Sequence, residues 1–185
     1  MNSKEHYFEY VKCFLNENSK VNLISKNDEK FLWEKHIFDS LAIENFFKKY
    51  SIKPNGINLL DIGTGGGFPA IPIAINYPKI NVFALDSIRK KINAIENIKN
   101  KLNITNLTTI CDRAENLKDK YEIITSRAVA SLDKICEYAL PLLNGYFIAY
   151  KSQKVQEEIK NSAKILKRHN AKILDIVEYN LPLPE

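Results

Sequence analysis

The chain has 185 residues and carries a formal net charge of +5 at pH 7. Hydrophobic residues make up 45% of it and charged residues 26%, which is typical of a globular protein and excludes a disordered or collagen-like chain. No stretch reaches the roughly 18 apolar residues of a membrane-spanning helix, and the polar N-terminus lacks the layout of a signal peptide. We therefore expect a cytoplasmic protein with no membrane contact.

The cysteines and histidines are scattered along the chain. The three cysteines form no Cys-x-x-Cys pair, and His6, His36 and His169 do not cluster with them. These spacings favour reduced, structural thiols and predict no metal site. Lysine is abundant throughout, so the positive net charge is only weak evidence for a polyanionic partner.

Helical patterns precede the first predicted strand. Apolar residues at helical spacing, from Tyr7 to Leu15, predict a helix over residues 3–17. A second helix is predicted to begin near Asn27 or Asp28, and a third to span residues 40–50. We expect residues 1–53 to form a helical cap.

From residue 54 onward, short apolar runs alternate with amphipathic stretches. The predicted strands are residues 58–62, 81–86, 107–111, 121–126, 145–150 and 171–179, and the predicted helices are residues 68–76, 87–102, 132–142 and 153–169. This alternation predicts an α/β fold with a doubly wound, mostly parallel, Rossmann-like sheet. We interpret residues 1–185 as a single domain, with the α/β core at residues 54–185.

Glycines fill the turn after the first predicted strand. Gly63, Gly65, Gly66 and Gly67 lie where an open α/β sheet binds its ligand, beyond the carboxyl ends of the strands. Glycine lets the backbone approach a ligand closely, and the helix start that follows offers free N–H groups. The next strand ends in Asp86, whose carboxylate can accept both ribose hydroxyls of a nucleoside. Together these features predict a nucleoside cofactor.

Asp61, two residues before Gly63, indicates which cofactor this is. The D-x-G-x-G-x-G pattern is the usual first motif of methyltransferases, in which the turn meets an amino-acid moiety and not a pyrophosphate. A dehydrogenase would need a second domain for its substrate, and 185 residues leave no room for one. We therefore predict a class I methyltransferase that binds S-adenosylmethionine, with an NAD-dependent protein as a less favoured alternative.

Two further strand ends carry candidate site residues. The third strand ends in residues 111–115, where backbone groups at Ala114 and Glu115 can read an adenine ring, although Glu115 also fits a solvated helix start. Arginine is rare, with only Arg89, Arg113, Arg127 and Arg168, and three of these four positions follow predicted strands. Arg127, after the fourth strand, can hold a carboxylate or phosphate with its planar fork, or can form a surface ion pair.

With these residues in view, the sequence resembles the RsmG (GidB) family of bacterial 16S ribosomal RNA methyltransferases. The matching stretches are residues 22–25, 36–41, 60–72, 113–115 and 125–130. The glycine turn alone indicates a methyltransferase, whereas its Gly-Phe-Pro-x-Ile-Pro extension, with His-Ile-x-Asp-Ser before it and Ser-Arg-Ala-Val-Ala after it, is far more specific. The family's closing strand has no counterpart among these residues, so we expect either a naturally short chain or a sheet that ends with six strands.

The resemblance implies transfer of a methyl group from S-adenosylmethionine to N7 of a guanosine in the 530 loop of 16S ribosomal RNA. The implied substrate is either this RNA alone or the small-subunit particle that contains it. The resemblance also implies cofactor binding at the matching positions, which are Gly63, Phe68, Ala114, Glu115 and Arg127. Asp86 matches only the general pattern of an acid that ends the second strand. We expect the enzyme to be a monomer.

Guanine N7 has a free lone pair and no proton to lose, so its methylation needs no general base and no obligatory catalytic histidine. The enzyme would instead align the reactants and stabilise a base that becomes cationic. The first candidate on the acceptor side is Arg127, followed by Asp39 and Lys151. Asp39 would also fit as a helix cap, and Lys151 as a side chain that lies over the sheet. Four lysines are candidates for contacts with RNA phosphates: Lys90, Lys91, Lys151 and Lys154. Each of them would also fit on a solvated helix face.

Two other classes of function stay open. A methyltransferase for another RNA, a protein or a small molecule would share every cofactor residue. A cofactor-binding module without catalysis, such as a nucleoside sensor, is disfavoured only by the intact Ser126-Arg127-Ala128 corner.

Overall fold

The computed structural model describes residues 4–152 and 155–183. The strands are Asn58–Ile62 (β1), Asn81–Leu85 (β2), Leu107–Ile110 (β3), Tyr121–Arg127 (β4) and Leu143–Tyr150 (β5). The α-helices are Phe8–Val21 (α1), Lys26–Glu29 (α2), Asp39–Leu41 (α3), Ile43–Lys49 (α4), Ala70–Asn76 (α5), Arg89–Leu102 (α6), Leu132–Ala139 (α7) and Val155–Arg168 (α8). Short 3-10 turns span Lys4–Tyr7, Ala114–Asn116 and Leu140–Leu142, and a π-helix spans Leu32–Phe38.

The strands form one sheet in the order β3-β2-β1-β4-β5, and each neighbouring pair is parallel. The chain first winds outward from β1 through β2 to β3, and then crosses to β4 on the other side of β1. This reversal is the switch point at which open α/β sheets bind their ligands. The predicted doubly wound, parallel, Rossmann-like sheet is confirmed.

Two hydrophobic clusters cover the two faces of the sheet. The first cluster packs the helices before β1, together with α5 and α6, against one face of the sheet, and it includes Phe14 and Ile95. The second cluster packs α7 and α8 against the opposite face and includes Ile165. Successive strand residues alternate between the clusters, since Leu59 belongs to the first and Leu60 to the second. This is the two-residue period of a strand that is buried on both faces.

The N-terminal helices differ in detail from the prediction. α1 continues beyond residue 17 to Val21 and ends where Asn22 takes a left-handed conformation, with φ of 53°. The residues predicted as the second and third helices fold as α2, the π-helix, α3 and α4. Towards the C-terminus, α8 begins at Val155. The predicted start of this helix at residues 153–154, with Lys154, lies outside the described residues.

The predicted sixth strand, residues 171–179, is wrong. The segment 171–183 forms neither strand nor helix, and apolar side chains such as Leu174 are up to 50% exposed. Side chains attach it to the N-terminal helices, because the hydroxyl of Tyr50 donates to Asp175 at 3.1 Å. The segment is rich in apolar residues, but a strand also needs a neighbour with which to exchange backbone hydrogen bonds. Within the described residues the sheet therefore has five strands and not six.

The described part of the chain shows no helix with the length and apolar character needed to cross a membrane. It also shows no group of three histidine, cysteine or acidic side chains placed to hold a metal ion. Its cysteines are free thiols, of which Cys13 and Cys136 are buried in the hydrophobic clusters. Burial raises the pKa of Cys136 to about 11, so this thiol is protonated and behaves as an apolar group.

Candidate active site at the carboxyl edge of the sheet

The glycine turn after β1 has a backbone that only glycine adopts readily. Gly63, Gly65 and Gly67 have φ values of 70°, 58° and 88°. A Cβ atom on Gly63 would lie 2.4 Å from Cγ2 of Val129, and one on Gly67 would lie 2.5 Å from Cδ1 of Ile71. The turn therefore needs glycine at both positions for conformation, and at Gly63 for space as well, whereas the flexible Ile71 side chain could move away from an atom added at Gly67.

Asp86 joins this turn to the end of β2. Its Oδ2 accepts a hydrogen bond from the N–H of Gly65 at 3.0 Å, and its Oδ1 accepts one from the N–H of Ile88 at 2.9 Å. The side chain is only 8% exposed, so the carboxylate is held firmly. Each oxygen keeps a second lone pair, which leaves Asp86 able to accept hydrogen bonds from the hydroxyls of a ligand.

Asp61 lies fully buried between the two central strands. Its Oδ1 accepts a hydrogen bond from the hydroxyl of Thr125 on β4 at 2.9 Å. Burial raises the pKa of Asp61 to about 6, against the opposing influence of the hydroxyls of Thr64 and Thr125 and the charge of Arg127. The first acid of the motif thus braces β1 against β4 and is not itself exposed to a ligand.

A cavity of about 480 Å³ opens beyond the carboxyl ends of β2 and β3. Its walls are formed by Ser87, Arg89, Cys111, Asp112, Arg113 and Asn116. The carboxylate of Asp112 accepts hydrogen bonds from the N–H of Arg113 and the side-chain amide of Asn116, which fix its position and lower its pKa. Ala114 is buried and Glu115 exposed in the 3-10 turn that follows, so both predicted residues lie in the same turn as the cavity wall.

Arg127, at the end of β4, contacts the N-terminal helices. Its Nη1 donates to Oδ2 of Asp39 at 2.8 Å and to the carbonyl of Lys35 at 3.1 Å, and its Nη2 lies 2.8 Å from Nδ1 of His36. The guanidinium also lies over the ring of Phe68, 5.2 Å from its centroid. A lysine could not contact these groups together, because it lacks the planar fork.

His36 supports Arg127 as an uncharged acceptor. Burial is the largest influence on its pKa, and with the charge of Arg127 it lowers that pKa to about 4. The imidazole is therefore neutral at pH 7, and in that state Nδ1 accepts a hydrogen bond from Arg127. The rings of His36 and Phe68 are 5.0 Å apart, so one aromatic side chain supports both partners.

Phe68 is itself buried, although the resemblance implied that it touches the cofactor. Its ring is 3% exposed and packs 5.1 Å from the ring of Phe14 on α1. The side chain thus lies between α1 and the guanidinium of Arg127, and it places the glycine turn against both.

Lys151 lies behind the loop that follows β4. Its ammonium donates to the carbonyl of Ala130 at 2.6 Å and pairs with Glu158 of α8 at 2.7 Å, and it is 14% exposed. The carboxylate of Glu158 also accepts the N–H of Leu132, at the start of α7, at 2.7 Å. These contacts fix the loop 128–131, in which Ala128 has a φ of 54°. Lys151 is thus engaged within the protein and not free at the surface.

Sequence reasoning missed several partners in this corner. The hydroxyl of Tyr179 donates to Oδ1 of Asp39 at 2.5 Å, and Glu158 bridges Lys151 to α7. Tyr179 is 140 residues away from Asp39, so no spacing pattern could have connected them. Of the lysines predicted to contact RNA, Lys90 is exposed and Lys91 half-buried at the start of α6.

The chain is similar to proteins named Ribosomal RNA small subunit methyltransferase G. It is 37% identical over 186 residues to the protein of a Thermoanaerobacter species. This alignment covers 96% of this chain and 76% of that relative. It is 39% identical over 190 residues to the protein of Clostridium botulinum. That alignment covers 97% of this chain and 78% of the relative. The chain thus spans about three quarters of the length of these relatives.

Solved structures share the fold at lower identity. A SAM dependent methyltransferase from Aquifex aeolicus matches with a TM-score of 0.59 and 21% identity, over 86% of this chain and 91% of that one. A ribosomal protein L11 methylase from Lactobacillus delbrueckii subsp. bulgaricus matches with a TM-score of 0.59 and 19% identity, over 77% and 72%. These similarities confirm the predicted class I methyltransferase fold.

The family model described as rRNA small subunit methyltransferase G, GidB, matches residues 3–182, nearly the whole chain. This match and the identities above agree with the motifs that carry the resemblance. The chain therefore belongs to the GidB family, rRNA small subunit methyltransferase G.

Proposed function

We propose that this chain, an S-adenosylmethionine-dependent rRNA methyltransferase by its family, methylates N7 of a guanosine in the 530 loop of 16S ribosomal RNA. The observation that carries the proposal is the arrangement of the carboxyl edge. The glycine turn follows the central strand β1, Asp86 and the cavity lie at the ends of β2 and β3, and Arg127 with its partners lies at the end of β4. One side suits a nucleoside cofactor and the other an acceptor.

The residues of the β2–β3 side fit S-adenosylmethionine. We assign its ribose to Asp86, whose oxygens keep free lone pairs, and its adenine to the cavity wall that continues into Ala114 and Glu115. We assign its amino-acid end to the turn at Gly63, where the absence of a Cβ atom lets a ligand approach the backbone.

Phe68 and Arg127 complete this assignment. Because the ring of Phe68 is buried, we infer that it acts on the cofactor by holding the turn and the guanidinium in place. Nη1 of Arg127 has two protein acceptors, but Nε and part of Nη2 offer further donors. These donors would face the junction between cofactor and acceptor.

When bound, the cofactor supplies an electrophilic methyl group on its sulfonium. Guanine N7 offers a lone pair without a proton, so the protein needs to position the base and not to deprotonate it. Asp39 and Arg127 form an ion pair at this corner, 2.8 Å apart, and the carboxylate would help to stabilise a guanine that becomes cationic. His36, with its lowered pKa and its contact to Arg127, would hold this pair in place.

We also propose that residues 1–185 act as one domain and as a cytoplasmic monomer, with residues 1–53 as a cap on the core at 54–185. Two contacts support the cap: α1 packs against α6 in one hydrophobic cluster, and Arg127 binds Lys35 and Asp39. The substrate is proposed to be 16S RNA, free or within the small-subunit particle.

The test is methyl transfer from labelled S-adenosylmethionine to small-subunit particles and to protein-free 16S RNA. We expect label in 16S RNA, at a guanosine of the 530 loop that becomes sensitive to cleavage specific for 7-methylguanosine. RNA in which adenosine replaces that guanosine is the control and should take up no label. Label in another RNA or a small molecule alone would favour the broader methyltransferase, and cofactor binding without any turnover would favour a binding module.

A further inference from the structure

Phe31 provides an aromatic surface that the hydrophobic core does not use. The residue lies between α2 and the π-helix, is partly exposed, and belongs to neither of the two clusters that cover the sheet. Two ammonium groups lie near its ring, that of Lys30 at 5.0 Å and that of Lys35 at 5.2 Å from the centroid. Two cationic groups therefore lie against this ring.

The charges around this ring are unequally engaged. Lys35 pairs with Asp28 at 2.7 Å, with about a third of each side chain exposed. Lys30 is exposed, and within the described residues it forms no ion pair. Positive charge thus remains beside the ring and is available to a polyanion.

A short run of backbone connects Phe31 to the acceptor side of the active site. The N–H of Lys35 donates to the carbonyl of Phe31 at 2.8 Å, and the carbonyl of Lys35 accepts from Arg127 at 3.1 Å. One turn of helix therefore separates the aromatic ring from the group that holds Arg127. A ligand that lies on the ring is close to the corner at which the acceptor base would react.

We propose that Phe31, Lys30 and Lys35 form a stacking platform for an unpaired base next to the guanosine that is methylated. Proteins recognise single-stranded RNA by stacking its bases on aromatic rings and binding its phosphates with cations, and both groups occur here together. When a base covers the ring, the flexible lysine side chains move away from it and bind phosphates of the RNA. The proposal rests on the proposed function, since it names the surface by which that RNA is held.

The experiment compares the steady-state kinetics of Phe31→Leu and Phe31→Trp with the unsubstituted protein, using 16S RNA as acceptor. Leucine keeps an apolar side chain but has no π face, so the KM for RNA should rise about tenfold, the order expected for the loss of one stacked base. The kcat, the affinity for S-adenosylmethionine and the Tm should stay unchanged. Tryptophan should restore the KM, because it offers a larger ring.

Phe8→Leu is the matched control. Phe8 is 59% exposed on α1 and has the ammonium of Lys12 4.4 Å from its ring, so it reproduces the same chemistry away from Arg127. Its substitution should leave the KM unchanged. An unchanged KM for Phe31→Leu, an equal rise in both leucine variants, or no rescue by tryptophan would each overturn the platform.

A binding measurement separates this inference from the proposed function. Fluorescence anisotropy with a single-stranded RNA oligonucleotide and with an RNA duplex needs no turnover. Phe31→Leu should weaken binding of the single strand about tenfold and leave duplex binding unchanged. If the unsubstituted protein methylates no 16S RNA, the proposed function fails, and equal binding of the single strand by both proteins overturns the platform in either case.

Discussion

The two sides of the carboxyl edge lie next to each other on one sheet but are built differently. On the glycine side, positive φ angles and the hydrogen bonds of Asp86 to backbone N–H groups set the shape. On the arginine side, side chains from remote segments set it, since Arg127 contacts residues 88 to 92 positions earlier in the chain. A site made by local backbone tolerates changes in packing elsewhere, whereas a side-chain network requires the N-terminal helices to be docked.

The largest effect is expected on the glycine side, from Gly63→Val. The φ of 70° strains any other residue, and a Cβ atom would overlap Cγ2 of Val129 at 2.4 Å. Strain of about 1–3 kcal/mol and displacement of the loop after β4 act together. We expect calorimetric titration to show an affinity for S-adenosylmethionine at least about a hundredfold lower.

Gly56→Val is the matched control for this change. Gly56 also has a φ of 70°, but nothing lies within 4 Å of the Cβ atom that it would gain. The variant therefore carries the backbone strain without the overlap, and it should bind the cofactor normally. Equal losses in both variants, or normal binding by Gly63→Val, would contradict a cofactor site at this turn.

A smaller effect is expected from Arg127→Lys, which tests whether the two sides are separable. Lysine keeps the charge but cannot contact Asp39, His36 and the carbonyl of Lys35 together. We expect the free energy of unfolding in urea to fall by about 2 kcal/mol, since a partly buried pair is broken. Turnover should fall about a hundredfold, and cofactor affinity by less than about tenfold.

Arg168→Lys provides the comparison, because Arg168 is exposed at the end of α8. It should change neither stability nor turnover. If Arg127→Lys lost cofactor affinity as steeply as turnover, the arginine side would be part of the cofactor site and the division between the two sides would be wrong.

The smallest effect is on the pH dependence of stability. The pKa of His36 is lowered from 6.5 to about 4 in the folded protein, so its contribution to stability is lost as the pH falls from about 6.5 towards 4. The raised pKa of Asp61, about 6, acts in the opposite sense, because stability is lost as the pH rises from about 4 to 6. The two groups therefore partly cancel.

His36→Gln removes one of these contributions and keeps an acceptor for Arg127. The difference in unfolding free energy between about pH 7.5 and about pH 5 should shift by about 1 kcal/mol, after allowance for the solvent that screens a partly exposed ring. His169→Gln, at an exposed site after α8, should leave the dependence as it is. An unaltered dependence in His36→Gln would mean that this imidazole is not desolvated.

The glycine side could be predicted from the sequence because its determinants are local. The run from Asp61 to Gly67 specifies a buried strand, a turn that needs glycine and a helix start, and Asp86 is recognisable as the end of the next apolar run. β1 was predicted to the residue, and the other strands to within two residues at each end. The roles assigned to Ala114 and Glu115 stay predictions.

The arginine side could be predicted only as a set of candidates. Motifs indicated Asp39, Arg127 and Lys151, but not that Asp39 binds both Arg127 and Tyr179 or that Lys151 lies behind a loop. Those contacts depend on tertiary packing between distant segments. The same reason explains the wrong strand at 171–179, where an apolar segment has no neighbouring strand with which to pair.

The packing of α1 on α6 has a consequence for the order in which the newly made chain takes shape. Synthesis proceeds from the N-terminus, so the apolar face of α1, with Tyr10 and Phe14, emerges from the ribosome well before residues 89–102. The glycine turn and Asp86 are made soon afterwards, whereas Arg127 and Glu158 follow later. A nascent chain thus contains the glycine turn and Asp86 before Arg127, the residue that joins His36 and Asp39 into the acceptor side.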